Sequence, residues 1–91
     1  MIVSFCCNET QKVFREQKSR KFASIHRAAF RKLVMLHAAA KLSDLAGVGA
    51  SLEALKKDRA GQHSIRVNDR YRICFVWTGT DAKEVEIVDY H

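Results

Sequence analysis

Three side chains at the end of the chain, Asp89, Tyr90 and His91, can accept, donate or orient protons. RNA cleavage without a metal needs such groups, because a base must take the 2′-hydroxyl proton and an acid must protonate the leaving 5′-oxygen. It also needs cations to stabilise the phosphorane, and Lys56 and Arg72 can supply them if the fold brings them close. Tyr90 can also stack on a base. These residue types can therefore supply the groups that RNA cleavage needs, although the spacing of the last three, taken alone, favours an ordinary C-terminal tail.

Three strands are predicted to position these groups. Apolar residues alternate with polar ones over residues 62–67 and 70–77, which is the period of a strand. Asn68 and Asp69 are expected to form a two-residue hairpin turn between them, since both residue types tolerate a positive φ. A third strand is predicted over 84–90. Short connections make these consecutive strands antiparallel.

The N-terminal part of the chain predicts a short strand over residues 2–5, followed by two helices. The first helix is expected over 9–17, with Asn8 as its N-cap. Val13 and Phe14 lie on one face of this helix and are expected to be buried.

A second, longer helix is predicted after Ser24, which can cap it. Its apolar stripe has helical spacing and consists of Ile25, Ala29, Leu33, Leu36 and Ala40. Residues 41–61 are interpreted as a loop interrupted by Gly47 and Gly49. We expect its segment 52–59 to lie beside the end of the last strand, so that the two form one RNA-facing edge.

The elements follow the order β-α-α-β-β-β and predict a single α+β domain over residues 1–91. Both helices are expected to cover one face of a mainly antiparallel sheet. That face is predicted to carry Tyr71, Ile73, Phe75 and Trp77. The other face is expected to be partly open and to carry Arg66 and Arg72, either solvated or paired with Glu84 and Glu86 across the sheet.

The positive charge is concentrated in one half of the chain. The net charge is +6, and residues 9–41 contain nine Lys or Arg against two Asp or Glu. Such a field attracts nucleic acid, an acidic membrane surface or an acidic protein partner, unless the basic side of the second helix is simply solvated.

Several classes of protein are disfavoured by the composition. No apolar run is long enough to span a membrane, and the first residues lack the features of a signal peptide, so we expect a cytoplasmic protein. Cys6, Cys7 and Cys74 are expected to be reduced thiols. The four histidines have no metal-ligand spacing, and no cofactor or metal is expected.

Five segments of the chain, taken together, form one characteristic sequence pattern. They are L-E-A-L-K at 52–56, D-R-A-G-Q at 58–62, S-I-R-V-N-D at 64–69, Y-R-I-C-F-V-W at 71–77 and V-E-I-V-D-Y-H at 85–91. This pattern resembles the HigB toxin family, the plasmid-maintenance branch of the RelE/ParE toxin superfamily. The resemblance covers nearly the whole chain and is most specific over 52–91.

The resemblance implies a bacterial type II toxin that cleaves messenger RNA at the ribosome and slows growth. Carried over to this chain, it implies that the catalytic residues are Lys56, Asp89, Tyr90 and His91. The cations expected to bind RNA phosphate are Arg72, Arg66, Lys57 and Arg59. The order in which the acid and the base act stays open at this point.

The resemblance also implies partners. A HigA-type helix-turn-helix antitoxin would neutralise the toxin, and the ribosome with its mRNA would be the target. Operator DNA would be bound only through the toxin–antitoxin complex, and no membrane partner is implied. We expect the antitoxin to contact the basic helical half of the chain, because the positive charge lies there.

Three features separate this chain from other members of the family, and one is that it has no proline, which is common in the loop before the lysine. Glu53 stands where some members carry a histidine, and Lys57 stands where a glycine is usual. A carboxylate at position 53 would repel phosphate unless it acts as a base or pairs with Lys56. The alternatives to an endoribonuclease are a non-catalytic ParE-like toxin that inhibits gyrase and a basic RNA-binding module.

Overall fold

The computed structural model describes residues 1–47 and 51–89. Its helices are α1 (Asn8–Glu16) and α2 (His26–Ala38), and its strands are β1 (Glu53–Ala54), β2 (His63–Arg66), β3 (Tyr71–Trp77) and β4 (Ala82–Asp89). The predicted α+β class, with two N-terminal helices and an antiparallel sheet, is confirmed. Gly49, Tyr90 and His91 lie outside the described residues.

The four strands form one antiparallel sheet in the order β1-β2-β3-β4. One row of paired residues crosses all four strands and consists of Glu53, Ser64, Cys74 and Glu86. β1 and β4 run in opposite directions. The residues that follow Glu53 and those that follow Glu86 therefore lie toward opposite ends of the sheet. This register decides which of the predicted site residues can meet.

The strand predicted over residues 2–5 forms only two isolated bridges. Ile2 pairs with Ala82 and Phe5 pairs with Val85, both in parallel. The chain between this segment and β4 includes both helices, so it is long enough for the crossover that a parallel pairing needs. It extends the sheet beside β4 through backbone bonds such as the one from the Val3 amide to the Ala82 carbonyl, 2.8 Å long.

The interpretation of 41–61 as loop throughout is wrong in three places. A short 3-10 helix spans Leu42–Leu45 and buries Leu45, and another spans Lys57–Arg59. Between them, β1 pairs with β2 at the outer side of the sheet. Both residues of β1 are exposed, so no alternation of apolar and polar residues marks it in the sequence.

The first helix begins one residue earlier than predicted. Its N-cap is Cys7 rather than Asn8, and no side chain caps it. Val13 is fully buried as expected, and Phe14 is half-buried and packs against the core. Thr10 is also fully buried, and its hydroxyl accepts a hydrogen bond from the Ile87 amide at 3.0 Å. This bond fixes α1 to β4.

The second helix starts after a turn, not at Ser24. The Ile25 amide bonds the Phe22 carbonyl at 3.0 Å, and Ile25 occupies the N-cap position. The predicted stripe is buried except at its end, where Ala39 is buried in place of Ala40. The reason is that the helix ends at Ala38, so helical spacing no longer applies beyond it.

The core lies between the helices and one face of the sheet. Its fully buried members include Val13, Ala29, Leu33, Leu36, Leu45, Ile65, Ile73, Phe75 and Val85. The prediction that alternate residues of β3 face the helices is confirmed, because Ile73 and Phe75 are fully buried while Tyr71 and Trp77 are partly buried against the same core.

The connection between β2 and β3 spans residues 67–70 and is longer than the predicted two-residue turn. The Asn68 side-chain oxygen accepts hydrogen bonds from the Arg70 and Tyr71 amides, at 2.9 and 2.8 Å. Asn68 and Asp69 do not adopt a positive φ. The asparagine therefore closes the turn with its side chain rather than with its backbone.

Candidate functional site

The face of the sheet opposite the helices carries the polar side chains of the strands. Arg72 pairs with Arg66 on one side and with Val88 on the other, and it alternates with the buried Ile73. Since directly paired residues of antiparallel strands point to the same face, these three side chains share the face away from the helices. We call this surface the open face; it includes the row of Glu53, Ser64, Cys74 and Glu86.

Arg72 is held on the open face by contacts on two sides. Its Nε donates a hydrogen bond to the Ser64 hydroxyl at 2.7 Å, and its Nη2 donates to the Ser51 carbonyl. Ser64 is fully buried and the Arg72 side chain is only 13% exposed. An arginine bound on two sides loses little further freedom when it meets an anion. Arg72 is thus a preorganised positive charge.

Glu53 is the carboxylate nearest to that charge. Its Oε2 lies 3.4 Å from Arg72 Nη2, and its side chain is 60% exposed. The alternative that Arg66 and Arg72 pair with Glu84 and Glu86 is wrong. Arg72 pairs with Glu53 instead, and Arg66 pairs with Asp69 in the adjoining turn.

A second arginine reaches the open face from the segment before β2. Arg59 Nη1 lies 3.0 Å from Glu86 Oε1 and 3.1 Å from the side-chain oxygen of Gln62. Its side chain is 31% exposed. The predicted phosphate-binding residues Arg59 and Arg72 therefore both lie on this face, each beside a glutamate.

Lys56 and Lys57 are exposed at the outer side of the sheet. Lys56 is the N-cap of the short 3-10 helix, and its carbonyl accepts a hydrogen bond from the Arg59 amide at 3.2 Å. In the four-stranded sheet β2 and β3 lie between β1 and β4, whereas the Arg59–Glu86 pair joins segment 52–59 to the middle of β4. That this segment and the end of the last strand form one edge stays a prediction, because the last two residues lie outside the described ones.

Asp89 is held by an arginine that the sequence did not single out. Arg70 donates from Nε to both Asp89 oxygens at 3.0 Å and from Nη2 to Oδ2 at 2.8 Å. The hydrogen bonds and the negative charge of Asp89 raise the pKa of Arg70. Asp89 pairs in register with Tyr71, on the side of the sheet that faces the helices, whereas Arg72 faces the open side. A fork-shaped pair of this kind orients the carboxylate strongly.

The family of the chain is decided by comparison with known proteins. A sequence model described as RelE-like toxin of type II toxin–antitoxin system HigB matches residues 4–91. The chain belongs to the HigB-like toxin family. It is also similar to Toxin HigB-1 of Vibrio cholerae serotype O1, with 46% identity over 56 residues. That match covers 60% of this chain, and it spans only 59% of the length of the relative.

The HigB-like chain also carries exposed positive charge on its helical side. Arg27 and Arg31 are exposed on α2, beside grooves whose walls include the partly buried Phe30 and Met35.

A cavity of about 620 Å³ opens beside α1, away from the open face, and Glu9 and Ser19 contribute to its wall. The Ser19 hydroxyl, 2.7 Å from Glu9, lowers the pKa of that carboxyl, and nearby Lys12 adds to the effect.

Neither a metal site nor a membrane span is found in the part of the chain that the structure describes. Residues 1–47 and 51–89 contain no group of three or more His, Cys, Asp or Glu that could hold a metal ion. Within the same residues, no helix is both long and apolar enough to cross a membrane.

The residues that sequence reasoning missed are those that hold the predicted site residues in place. Ser51 and Ser64 hold Arg72, and Arg70 holds Asp89. The first two are small polar residues with no signal of their own. Arg70 directly precedes Tyr71, which pairs with Asp89. Knowing the register of β3 and β4 would therefore have placed Arg70 close to Asp89.

Proposed function

We propose that this HigB-like chain is a ribosome-dependent endoribonuclease. It would cleave messenger RNA by attack of the 2′-hydroxyl on the adjacent phosphate, without a metal, and so inhibit translation and growth. The observation that carries the proposal is the fixed guanidinium of Arg72 on the open face, within a chain of the RelE-like toxin family.

In this proposal Arg72 stabilises the phosphorane. A cation that is already oriented does not have to reorganise as negative charge develops, which makes it more effective than a mobile surface lysine. Arg59, Arg66 and Lys57 would bind neighbouring phosphates of the RNA. Lys56 would supply further positive charge at the reacting phosphate once RNA is bound.

Proton transfer is assigned to the end of the chain. Asp89 and His91 would share the transfer, and Tyr90 would position a base or donate a hydrogen bond. The Arg70 contacts favour an ionised Asp89, since both carboxylate oxygens accept hydrogen bonds from one guanidinium. To accept a proton, Asp89 would have to give up part of this pairing with Arg70.

The proposed partners follow from the toxin family. A HigA-type helix-turn-helix antitoxin would neutralise the chain in the cytoplasm, and the complex would bind operator DNA through the antitoxin. The exposed Arg27 and Arg31 support contact of an acidic antitoxin segment with α2. No membrane partner is proposed.

Induced expression in growing bacteria tests the activity. We expect Arg72→Ala, Lys56→Ala and His91→Ala each to lower the rate of mRNA cleavage about 10²–10⁴-fold, because each removes a charge or a proton-transfer group. Primer extension on mRNA from the cells measures cleavage, and growth measures toxicity. Lys83→Ala is the matched control, since Lys83 is an exposed lysine on β4 outside the proposed site.

Two results would count against the proposal. Folded variants that cleave mRNA as well as the wild type would show that these residues are not the site. Growth arrest with gyrase cleavage complexes, induction of the SOS response and intact mRNA would indicate a gyrase-inhibiting toxin.

A further inference from the structure

Glu53 occupies an unusual position for an RNA-binding surface. Its carboxylate lies on the outer strand β1 and faces the anchored guanidinium of Arg72, with 3.4 Å between Oε2 and Arg72 Nη2. An acidic side chain at this place opposes phosphate binding by its charge. The arrangement therefore calls for a functional explanation.

The two partners of this pair differ in mobility. Arg72 is 13% exposed and is anchored by the Ser64 hydroxyl and by the Ser51 carbonyl, whereas the Glu53 side chain is 60% exposed. The 3.4 Å separation is longer than that of a strong charge-assisted hydrogen bond, about 2.7–2.9 Å. The exposed Glu53 carboxylate is screened by water, so its side of the pair contributes little free energy. The carboxylate can therefore leave while the guanidinium stays.

We propose that the Glu53 carboxylate competes with an RNA phosphate for the Arg72 guanidinium and thereby sets the RNA affinity of the open face. This inference rests on the proposed function, because it takes RNA as the ligand of that face. Carboxylate and phosphate oxygens are both acceptors for the guanidinium fork, so the two anions exclude each other. When phosphate binds, Glu53 turns into solvent, and its negative charge continues to weaken the complex.

Binding of a short RNA that cannot be cleaved tests the competition. The probe is a fluorescent single-stranded RNA of about eight nucleotides, a length within the range that one small domain covers. Each nucleotide carries a 2′-O-methyl group, which removes the attacking hydroxyl. We expect Glu53→Gln to bind this RNA roughly threefold to tenfold more tightly than the wild type at one fixed, low salt concentration.

A matched variant separates competition from a change in net charge. Glu84→Gln also removes one negative charge, at an exposed position of β4. We expect it to alter RNA affinity by less than about twofold, because screening weakens a charge that is not in contact with the phosphate. An equal gain from both variants would overturn the proposal.

A double variant tests whether the effect passes through Arg72. Arg72→Lys keeps the positive charge but removes the fork that both anions use. The gain from Glu53→Gln should disappear in the Arg72→Lys background, since coupled residues are not additive. A gain that persists contradicts the proposal. If thermal melting shows that Arg72→Lys is unfolded, the comparison of Glu53→Gln with Glu84→Gln decides alone.

The remaining outcomes separate this inference from the proposed function. Weaker or unchanged binding by Glu53→Gln overturns the competition, as does failure of both the wild type and Glu53→Gln to bind the RNA. Tighter binding through Arg72 in a protein that cleaves no mRNA supports the competition and refutes the nuclease. If the protein cleaves mRNA and Glu53→Gln leaves RNA binding unchanged, the nuclease is supported and the competition is refuted.

Discussion

On one face of the sheet, Ile73 and Phe75 are fully buried beneath the helices, whereas on the other face Arg72 and Arg59 lie beside Glu53 and Glu86. The first face is held by removal of apolar surface from water, which stabilises a fold by about 25 cal/mol for each Å² buried. The second is held by polar contacts whose net contributions are individually about 1 kcal/mol.

The difference teaches where this fold can change without being lost. Substitutions beneath the helices act on stability, while substitutions on the open face can alter charge and anion binding in a chain that stays folded. The separation is not complete, because Ser64 is fully buried on the open face and Thr10 is fully buried beneath the helices. Three changes, taken from the largest expected effect to the smallest, test the contrast.

Phe75→Ala should have the largest effect. Phe75 is fully buried and packs against the rings of His63 and Trp77, so its loss leaves a cavity in the centre of the core. We expect the free energy of unfolding to fall by about 3–5 kcal/mol, measured by urea denaturation. Val76→Ala is the control on the neighbouring, half-buried position, and it should cost roughly 1 kcal/mol. Equal losses at both positions would remove the contrast between the faces.

Thr10→Val tests the polar contact inside the helix-covered side. The change keeps the shape of the side chain but leaves the Ile87 amide without the hydroxyl that accepts its hydrogen bond at 3.0 Å. A buried donor without a partner costs about 1–3 kcal/mol. We therefore expect the free energy of unfolding to fall by this amount, measured by urea denaturation. Thr80→Val, at an exposed position, should change stability by less than about 0.5 kcal/mol. A Thr10→Val protein as stable as the wild type would show that the bond contributes nothing.

The Arg59–Glu86 pair tests the open face and should show the smallest effect. Arg59 Nη1 and Glu86 Oε1 are 3.0 Å apart, and both side chains are about 30% exposed. A double-mutant cycle with Arg59→Gln and Glu86→Gln should give a coupling energy of about 1 kcal/mol or less, because solvent screens the pair. Unfolding in urea supplies all four stabilities. A coupling of several kcal/mol would mean that the open face is as important for stability as the core.

Local periodicity was enough to predict most of the core. The spacing of Ala29, Leu33 and Leu36 marked the buried side of α2, and the alternation of Ile73 and Phe75 marked the helix-covered face of β3. These patterns are readable because each helix or strand buries residues at its own period. The same rule explains the failure at β1, which has two residues, both exposed, and therefore no period to detect.

The site was less predictable than the core. The sequence singled out Lys56, Arg72 and Asp89 as charged groups, and the family resemblance that it suggested is confirmed. It did not indicate that Glu53 would face Arg72 or that Arg70 would hold Asp89. The catalytic roles assigned to Lys56, Asp89, Tyr90 and His91 stay predictions.

What the sequence by itself determined is therefore the set of elements, the buried side of each one and the charges available for chemistry. The tertiary structure decided the partners, because strand register pairs residues that are far apart along the chain. Arg72 and Glu53 are 19 positions apart, and the Arg70–Asp89 pair has the same separation. Propensity and periodicity act within one element, whereas such pairings depend on how the whole sheet packs against its helices.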